Sequence, residues 1–327
     1  MSDEIQEIDG IPIRTEQIGF DSTEMIACGH CRKSNPPNRL DCLYCGNGLE
    51  LPTSIASEFQ LRHSMPELWE PGVNVIVTGG VLDAARETIL KTVSIDAETL
   101  EKAFGCEPPF PLVRTNEEDA EAVIKRLQNA GLVVRNCTDR SLNFDQPPTR
   151  LRGIVFDSGS VELLLFNRDV VKRFDNSAIS LVVSGSILET ESESTLRRKR
   201  KETMRVGEHI SSSDHAVIDL YAKGEVGGFR ILPHGFDFSC LGDRKSLLAV
   251  ENVRILKDML RTNFSNSVFD ESYRSKMPLL DSVWPRTVTN TSKGFHRVGA
   301  RVQRSVGEAV SNADQFTRYS RMRRGLL

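Results

Sequence analysis

Hydrophobic positions change period several times along this 327-residue chain, and the changes divide it. Residues 1–24 are polar and acidic with little periodicity, which predicts a flexible lead-in with one strand near Ile11–Ile18. Residues 25–50 are polar too, but cysteine-rich. Residues 51–72 hold Pro52, Pro66 and Pro71 with Trp69 between the last two, a linker with room for a short helix over Ser54–Leu61. Val73–Thr78 is a β-branched run that predicts a strand, broken by Gly79-Gly80. Ala85, Ile89 and Val93 then recur at helical spacing over Leu82–Val93. Ser94 reads as the N-cap of a second helix, Ile95–Phe104. A turn, Glu107–Pro111, leads into Leu112-Val113. Thr115–Glu118 reads as a helix start, Ala120, Val123, Ile124 and Leu127 form its buried stripe, and Gly131 closes it. Leu132–Cys137 is a strand. Residues 73–140 are therefore expected to form a small α/β domain.

Residues 141–150, with Pro147-Pro148, read as a second linker. From Leu151 the period shortens to that of strands. Seven short candidates run from Gly153–Phe156 to Phe236–Ser239, and a helix follows over Leu247–Phe264, apolar at Val250, Val253, Leu256 and Leu260. Residues 151–264 thus predict a β-rich, barrel-like or sandwich domain capped by a helix. Residues 265–294 are turn-rich and expected to be irregular, with Trp284-Pro285 as a boundary. Over 295–327, Phe295, Val298, Val302, Val306, Ala309, Ala313 and Phe316 recur at steps of three, four or seven. They predict a C-terminal amphipathic helix with a basic face. The expected fold class is α+β and multidomain.

Composition permits real cores: 39% of residues are hydrophobic and 27% charged. The net charge of −3 gives no overall bias toward nucleic acid or membranes. Its distribution is uneven. Residues 1–30 carry seven acids against Arg14, and residues 284–327 carry nine Lys/Arg against Glu308 and Asp314. No apolar run reaches transmembrane length, and the acidic N-terminus does not read as a signal peptide. Seven cysteines, four of them in CxxC pairs, indicate metal-site usage in a reducing compartment. The expected location is cytoplasmic.

The chemistry concentrates in Cys28-Gly29-His30-Cys31 and Cys42-Leu43-Tyr44-Cys45, with ten residues between the pairs. Each CxxC is the length of a turn that aims two sulfurs at one point, and Gly46 suits the sharp backbone after the second. Cys28, Cys31, Cys42 and Cys45 together predict one structural Zn²⁺ in a closed tetrahedral site, with iron as the alternative metal. About 25 residues cannot bury enough apolar surface to fold unaided, so the metal supplies folding free energy. The segment Ala27–Gly48 resembles the short zinc ribbons of bacterial and archaeal proteins, which serve as docking modules, nucleic-acid contacts or structural caps. Glu118–Val134, an acid-capped helix followed by Ala-Gly-Leu-Val-Val, is similar to the C-terminal domain of ribosomal protein L7/L12 and to ClpS-like adaptors. That likeness implies work by protein–protein contact. The strand order of 151–264 is similar in outline to pleckstrin-homology-like barrels.

Gly79-Gly80 lacks the third glycine of a dinucleotide loop and the Lys-Ser/Thr of a phosphate loop, so a plain strand-to-helix turn is the expectation. Arg197, Arg198, Lys199, Arg200 and Lys201 either grip phosphates or form a solvated hairpin among Glu189, Glu191, Glu193 and Glu202. The hairpin is favoured. His209, Asp214, His215, His234 and Cys240 are irregularly spaced and expected to be ordinary side chains. Candidate partner contacts are Arg32, Lys33 and Arg39 between the cysteine pairs, the 197–201 string, and Arg321, Arg323 and Arg324 at the C-terminus. The leading functional reading is a non-enzymatic zinc-binding scaffold or adaptor. The alternatives are a nucleic-acid- or ribosome-associated zinc-ribbon protein and a redox-active CxxC protein. The basic C-terminal segment also suits peripheral contact with a membrane.

Overall fold

The structure is a computed structural model that describes residues 6–8, 11–13, 25–36, 42–47, 49, 66–67, 70–93, 95–143, 146–166, 170–199, 202–292, 296–298 and 301–327; for 6–8, 11–13, 196–199, 202–206, 296–298 and 301–304 it describes the backbone alone. The chain divides into two compact units, Met1–Leu61 and Arg62–Leu327. The first holds two small hairpins. β1 (Gln6–Ile8) pairs antiparallel with β2 (Ile11–Ile13), and β3 (Ile26–Ala27) with β4 (Ser34–Asn35). The helix expected over Ser54–Leu61 lies outside the described residues, as does Trp69.

The second unit is mixed α+β. It begins with a three-stranded antiparallel sheet in the order β6 (Phe110–Thr115), β5 (Val73–Gly80), β7 (Leu132–Thr138). Helices Leu82–Thr92, Ala97–Phe104 and Glu117–Asn129 connect these strands. Their ends follow from local chemistry. Asn116 Oδ1 accepts the Asp119 N–H at 2.7 Å, and Gly131 sits at φ +86 just past the helix. The second helix is capped by Asp96, not Ser94; Asp96 Oδ1 accepts the Thr99 N–H at 2.9 Å and the helix starts at Ala97. Gly79-Gly80 ends the central strand. A Cβ on Gly80 would lie 2.6 Å from the Gly131 carbonyl oxygen, so this glycine serves a close strand crossing.

A second, ten-stranded sheet curls into a half-barrel. Its order is β10 (Val171–Asp175), β9 (Ser160–Leu165), β8 (Thr149–Asp157), β13 (Phe229–Ile231), β12 (Glu202–Ala222), β11 (Ile179–Lys199), β17 (Arg301–Ser311), β15 (Thr287–Ser292). β14 (Val268–Asp270) pairs parallel with β11, and β16 (His296–Val298) pairs with β17. Among the described residues β10 and β15 each pair on one side only, so the sheet stays open where the sequence suggests a barrel or sandwich. β11 and β12 are each 21 residues long and pair along nearly their whole length. The sequence shows only Ile179–Leu188 of β11 and Ala216–Tyr221 of β12 as strands, because the outer parts have no apolar alternation.

Both faces of the inner half of β11 are covered, which explains its unbroken apolar run. Val182 faces a core built with Ile154, Leu163, Leu220 and Phe229, closed by Val253, Leu256 and Leu260 of helix Ala249–Asn263. Val250, expected on that stripe, is exposed instead. Leu181 and Val183 face another core with Tyr273, Trp284, Phe316 and Tyr319. Ile76 of β5 joins this core, while Val75 and Val77 face the three connecting helices.

Two corrections concern the C-terminal third. Residues 265–294 are not irregular: they carry β14, the helix Tyr273–Val283 (through Pro278) and β15. The helix expected from Phe295 begins only at Ala313 and runs to Gly325. Residues 296–298 and 301–311 are strands. Val298, Val302 and Val306 recur every four residues, a spacing that suits one helix face and one strand face equally. The helix Ala313–Gly325 is docked: Phe316, Tyr319 and Met322 are fully buried. Gly185 admits it, since a Cβ there would meet Phe316 and Tyr273 at 2.7 Å. Among the described residues no helix is long and apolar enough to cross a membrane.

Candidate metal centre

The four cysteine sulfurs at the N-terminus lie within 4.8 Å of one another. They come from two knuckles built alike. In the first, the Arg32 N–H donates to the Cys28 carbonyl at 2.8 Å and the Cys28 N–H to the Lys33 carbonyl at 3.0 Å. In the second, the Gly46 N–H donates to the Cys42 carbonyl at 2.9 Å and the Cys42 N–H to the Asn47 carbonyl at 2.8 Å. Each knuckle ends in a left-handed residue, Arg32 at φ +57 and Gly46 at φ +72. Gly46 thus does what its sequence position suggests. Arg32 takes the same conformation with a side chain, which is uncommon outside glycine and asparagine.

The closest sulfur pairs run between knuckles, Cys28 to Cys45 at 3.6 Å and Cys31 to Cys42 at 3.4 Å. A disulfide would bring sulfurs to about 2.05 Å. Four thiolates around zinc at about 2.3 Å stand roughly 3.8 Å apart. The donor set and spacing therefore fit a tetrahedral metal ion. Local backbone already favours thiolates. Hydrogen bonds from the Cys31 and His30 backbone hold the Cys28 thiol below its ordinary range. Burial pushes Cys42 up, but the backbone N–H groups of Tyr44 and Cys45, with Cys31 and Asn35, outweigh it and leave it at about 6. At Cys45 the Asn47 N–H pulls down, yet burial and three neighbouring sulfurs push it up to about 12. Four sulfurs this close cannot all carry charge without a cation among them.

Asn35, which the sequence reading passed over, ties the knuckles together. It is fully buried. Its Nδ2 donates to the Lys33 carbonyl at 2.8 Å and to Cys42 Sγ at 3.4 Å, and its Oδ1 accepts the Leu43 N–H at 2.8 Å. Only a motif for buried amides between the cysteine pairs could have flagged it, and the polar run 32–39 hides it. Lys33 Nζ stands 4.4 Å from the Tyr44 ring centroid, a second bridge between knuckles.

The other candidates separate. Arg32 and Lys33 are exposed beside the sulfurs, and Arg39 lies outside the described residues. Arg197, Arg198 and Lys199 end β11; Arg200 and Lys201 lie outside the described residues. Arg321 is buried and donates to the Leu142 carbonyl at 3.0 Å and to the Gln146 carbonyl. Arg323 is ion-paired with Asp270, and Arg324 donates to the carbonyls of Glu225 and Val226. All three hold the last helix in place. His209 and His215 sit six residues apart on β12, and among the described residues His209, Asp214, His215, His234 and Cys240 join no set of three metal-capable ligands. Burial pushes the Cys106 and Cys137 thiols up, and Cys240 up to about 11. Comparison with protein-family models, with curated proteins and with solved structures returns no match for the chain.

Proposed function

We propose that the protein is a non-enzymatic, zinc-binding scaffold that works through protein–protein contacts. The observation that carries this reading is the closed set of four sulfurs from two interlocked knuckles. Cys28, Cys31, Cys42 and Cys45 would hold one zinc ion, and the ion's contribution is to crosslink the knuckles. With every tetrahedral position taken by sulfur, no position is left for a substrate. The surface around the site suits contact. Leu43 and Tyr44 are more than half exposed at the tip of the second knuckle, next to Arg32 and Lys33. Aromatic and basic side chains clustered this way are the usual anchors of protein interfaces.

The test is affinity purification of the full chain under gentle conditions, with metal quantified on the same sample. One zinc per chain and a stoichiometric protein partner are expected. The partner should be lost on Leu43→Ala and Arg32→Ala, whose exposed side chains lie outside the Lys33–Tyr44 bridge, with the zinc retained. Absence of zinc, or a partner indifferent to both substitutions, overturns the reading.

A further inference from the structure

Two stretches about a hundred residues apart in the chain end at the same place in the half-barrel sheet. β11 ends at Lys199 and β12 begins at Glu202, while β16 ends at Val298 and β17 begins at Arg301 alongside. The register fixes the neighbours: Leu196 pairs with Arg205 on one side and Arg304 on the other. Arg198 pairs with Val302, which in turn pairs with Arg297. Arg197 pairs with Gln303, and Arg301 with Val298. Arg197, Arg198, Lys199, Arg205, Arg297, Arg301 and Arg304 thus occupy a few adjacent rows of four strands. Residues 194–207 and 293–305 together hold ten Lys/Arg and one acid, Glu202, in a chain whose net charge is −3. Along the sequence these are two unrelated basic patches, and only the strand pairing joins them.

This end of the sheet also stands clear of the cores. No described side chain in 189–195, 207–214, 288–292 or 305–311 is buried. The described side chains of this arm therefore add nothing to the buried cores. Like charges in neighbouring rows cost stability. Such a cluster fits a polyanion that neutralises it. Seven of the ten bases are arginine, whose planar fork matches phosphate in a bidentate way. Ser192, Ser194, Thr195, Thr289, Thr291 and Ser305 occupy the rows next to it, the hydroxyls that commonly add contacts to phosphate and sugar. Acids share these rows: Glu208 pairs with Ser194, Glu308 pairs with Ser192, Glu193 and Glu191 lie in the rows of Thr291 and Thr289, and Glu189 follows on β11. A broad anionic surface lying along the arm would meet these acids, whereas a strand or rod of nucleic acid need touch only the end.

We propose that the shared end of β11, β12, β16 and β17 binds the phosphate backbone of nucleic acid, independent of sequence. This site uses none of the four cysteines and does not rest on the scaffold reading.

The test uses the full, zinc-loaded chain with a labelled 30-nucleotide single strand and a 30-base-pair duplex of mixed sequence. With about five phosphates engaged, log K should fall against log salt with a slope of roughly −4, a loss of several hundredfold between about 50 and 200 mM. Joint substitution of Arg197→Gln, Arg198→Gln, Arg301→Gln and Arg304→Gln should weaken binding at least about a hundredfold at low salt and reduce the slope by about three. Joint Glu189→Gln, Glu191→Gln and Glu193→Gln, which leaves every base in place, should tighten binding several-fold. That second variant keeps the proposal testable if the first fails to fold. No retention of either probe at low salt, a flat salt dependence, wild-type affinity in the arginine variant, weakened or unchanged binding in the glutamate variant, or preferential capture by phosphatidylserine vesicles each overturns it.

Discussion

Around Cys28–Cys45 the buried apolar set is Cys28, Cys42 and Leu49, with Cys31 packed against it. In Arg62–Leu327 each of three cores draws on fourteen to nineteen buried residues. Among the described residues the first region offers little for the hydrophobic effect to act on, and its two knuckles meet through sulfurs, Asn35 and the Lys33–Tyr44 contact. The second rests on burial: Val182 enters one core from β11, and Leu181 and Val183 enter another from its opposite face. The difference teaches that a segment with four convergent sulfurs and little buried apolar surface would draw its folding free energy from a bound metal, whereas the larger unit draws its own from burial. Perturbations should sort them cleanly.

The largest effect is metal removal. A strong chelator, or Cys42→Ser, removes a binding term of about 10–16 kcal/mol for such sites. Amide NMR dispersion of residues 25–49 should collapse while the thermal transition of the larger unit persists. Retained dispersion in the chelated protein would erase the contrast. Phe316→Ala tests the other side. Phe316 is fully buried, edge-on to Tyr273 at 5.0 Å and seated over Gly185. Its truncation should cost about 3–5 kcal/mol by denaturant titration, with zinc content unchanged. Asn35→Ala should weaken zinc about 10–100-fold in a competition titration, since a group that orients the ligands is lost. An unchanged affinity would reduce Asn35 to a packing residue.

The smallest effect is the pH dependence of the larger unit. Burial pushes the Asp270 carboxyl up, but bonds from Ser272, the ion pair with Arg323 and the Tyr319 hydroxyl outweigh it and hold it below its ordinary value. The unfolded chain then binds the proton more readily than the folded one. The stabilisation is complete above the unfolded value, about pH 4, and is lost as pH falls through the lower folded value. Asp270→Asn should flatten the urea midpoint below about pH 4, and an equal slope in both proteins would assign the acid sensitivity elsewhere.

Several features were legible in the chain because they depend on near neighbours. Cysteine spacing announces the sulfur cluster. Asn116 and Gly131 mark the two ends of one helix, and Gly46 marks the second knuckle's turn. Other features needed distant partners. Arg321 looks like an exposed tail residue, yet it is buried against the carbonyls of residues 142 and 146. Asn74 reads as a polar break in an apolar strand, and it is fully buried because Trp284 Nε1 donates to it at 2.8 Å and Asp139 accepts from it at 2.9 Å. The outer halves of β11 and β12 carry no apolar alternation, since neither face is covered, and a strand without a buried face leaves no pattern to read.

The sequence by itself determined the sulfur site and both ends of the helix Glu117–Asn129, because a knuckle or a cap is decided within a few residues. The tertiary structure alone decided what Val298–Val310 become. A spacing of four keeps residues on one side of a helix and on one side of a strand. Which of the two forms depends on whether the backbone hydrogen bonds close locally or onto β11, a segment a hundred positions earlier. The same pairing carries Arg297, Arg301 and Arg304 to Arg197 and Arg198 and makes two charge runs into one end of a sheet.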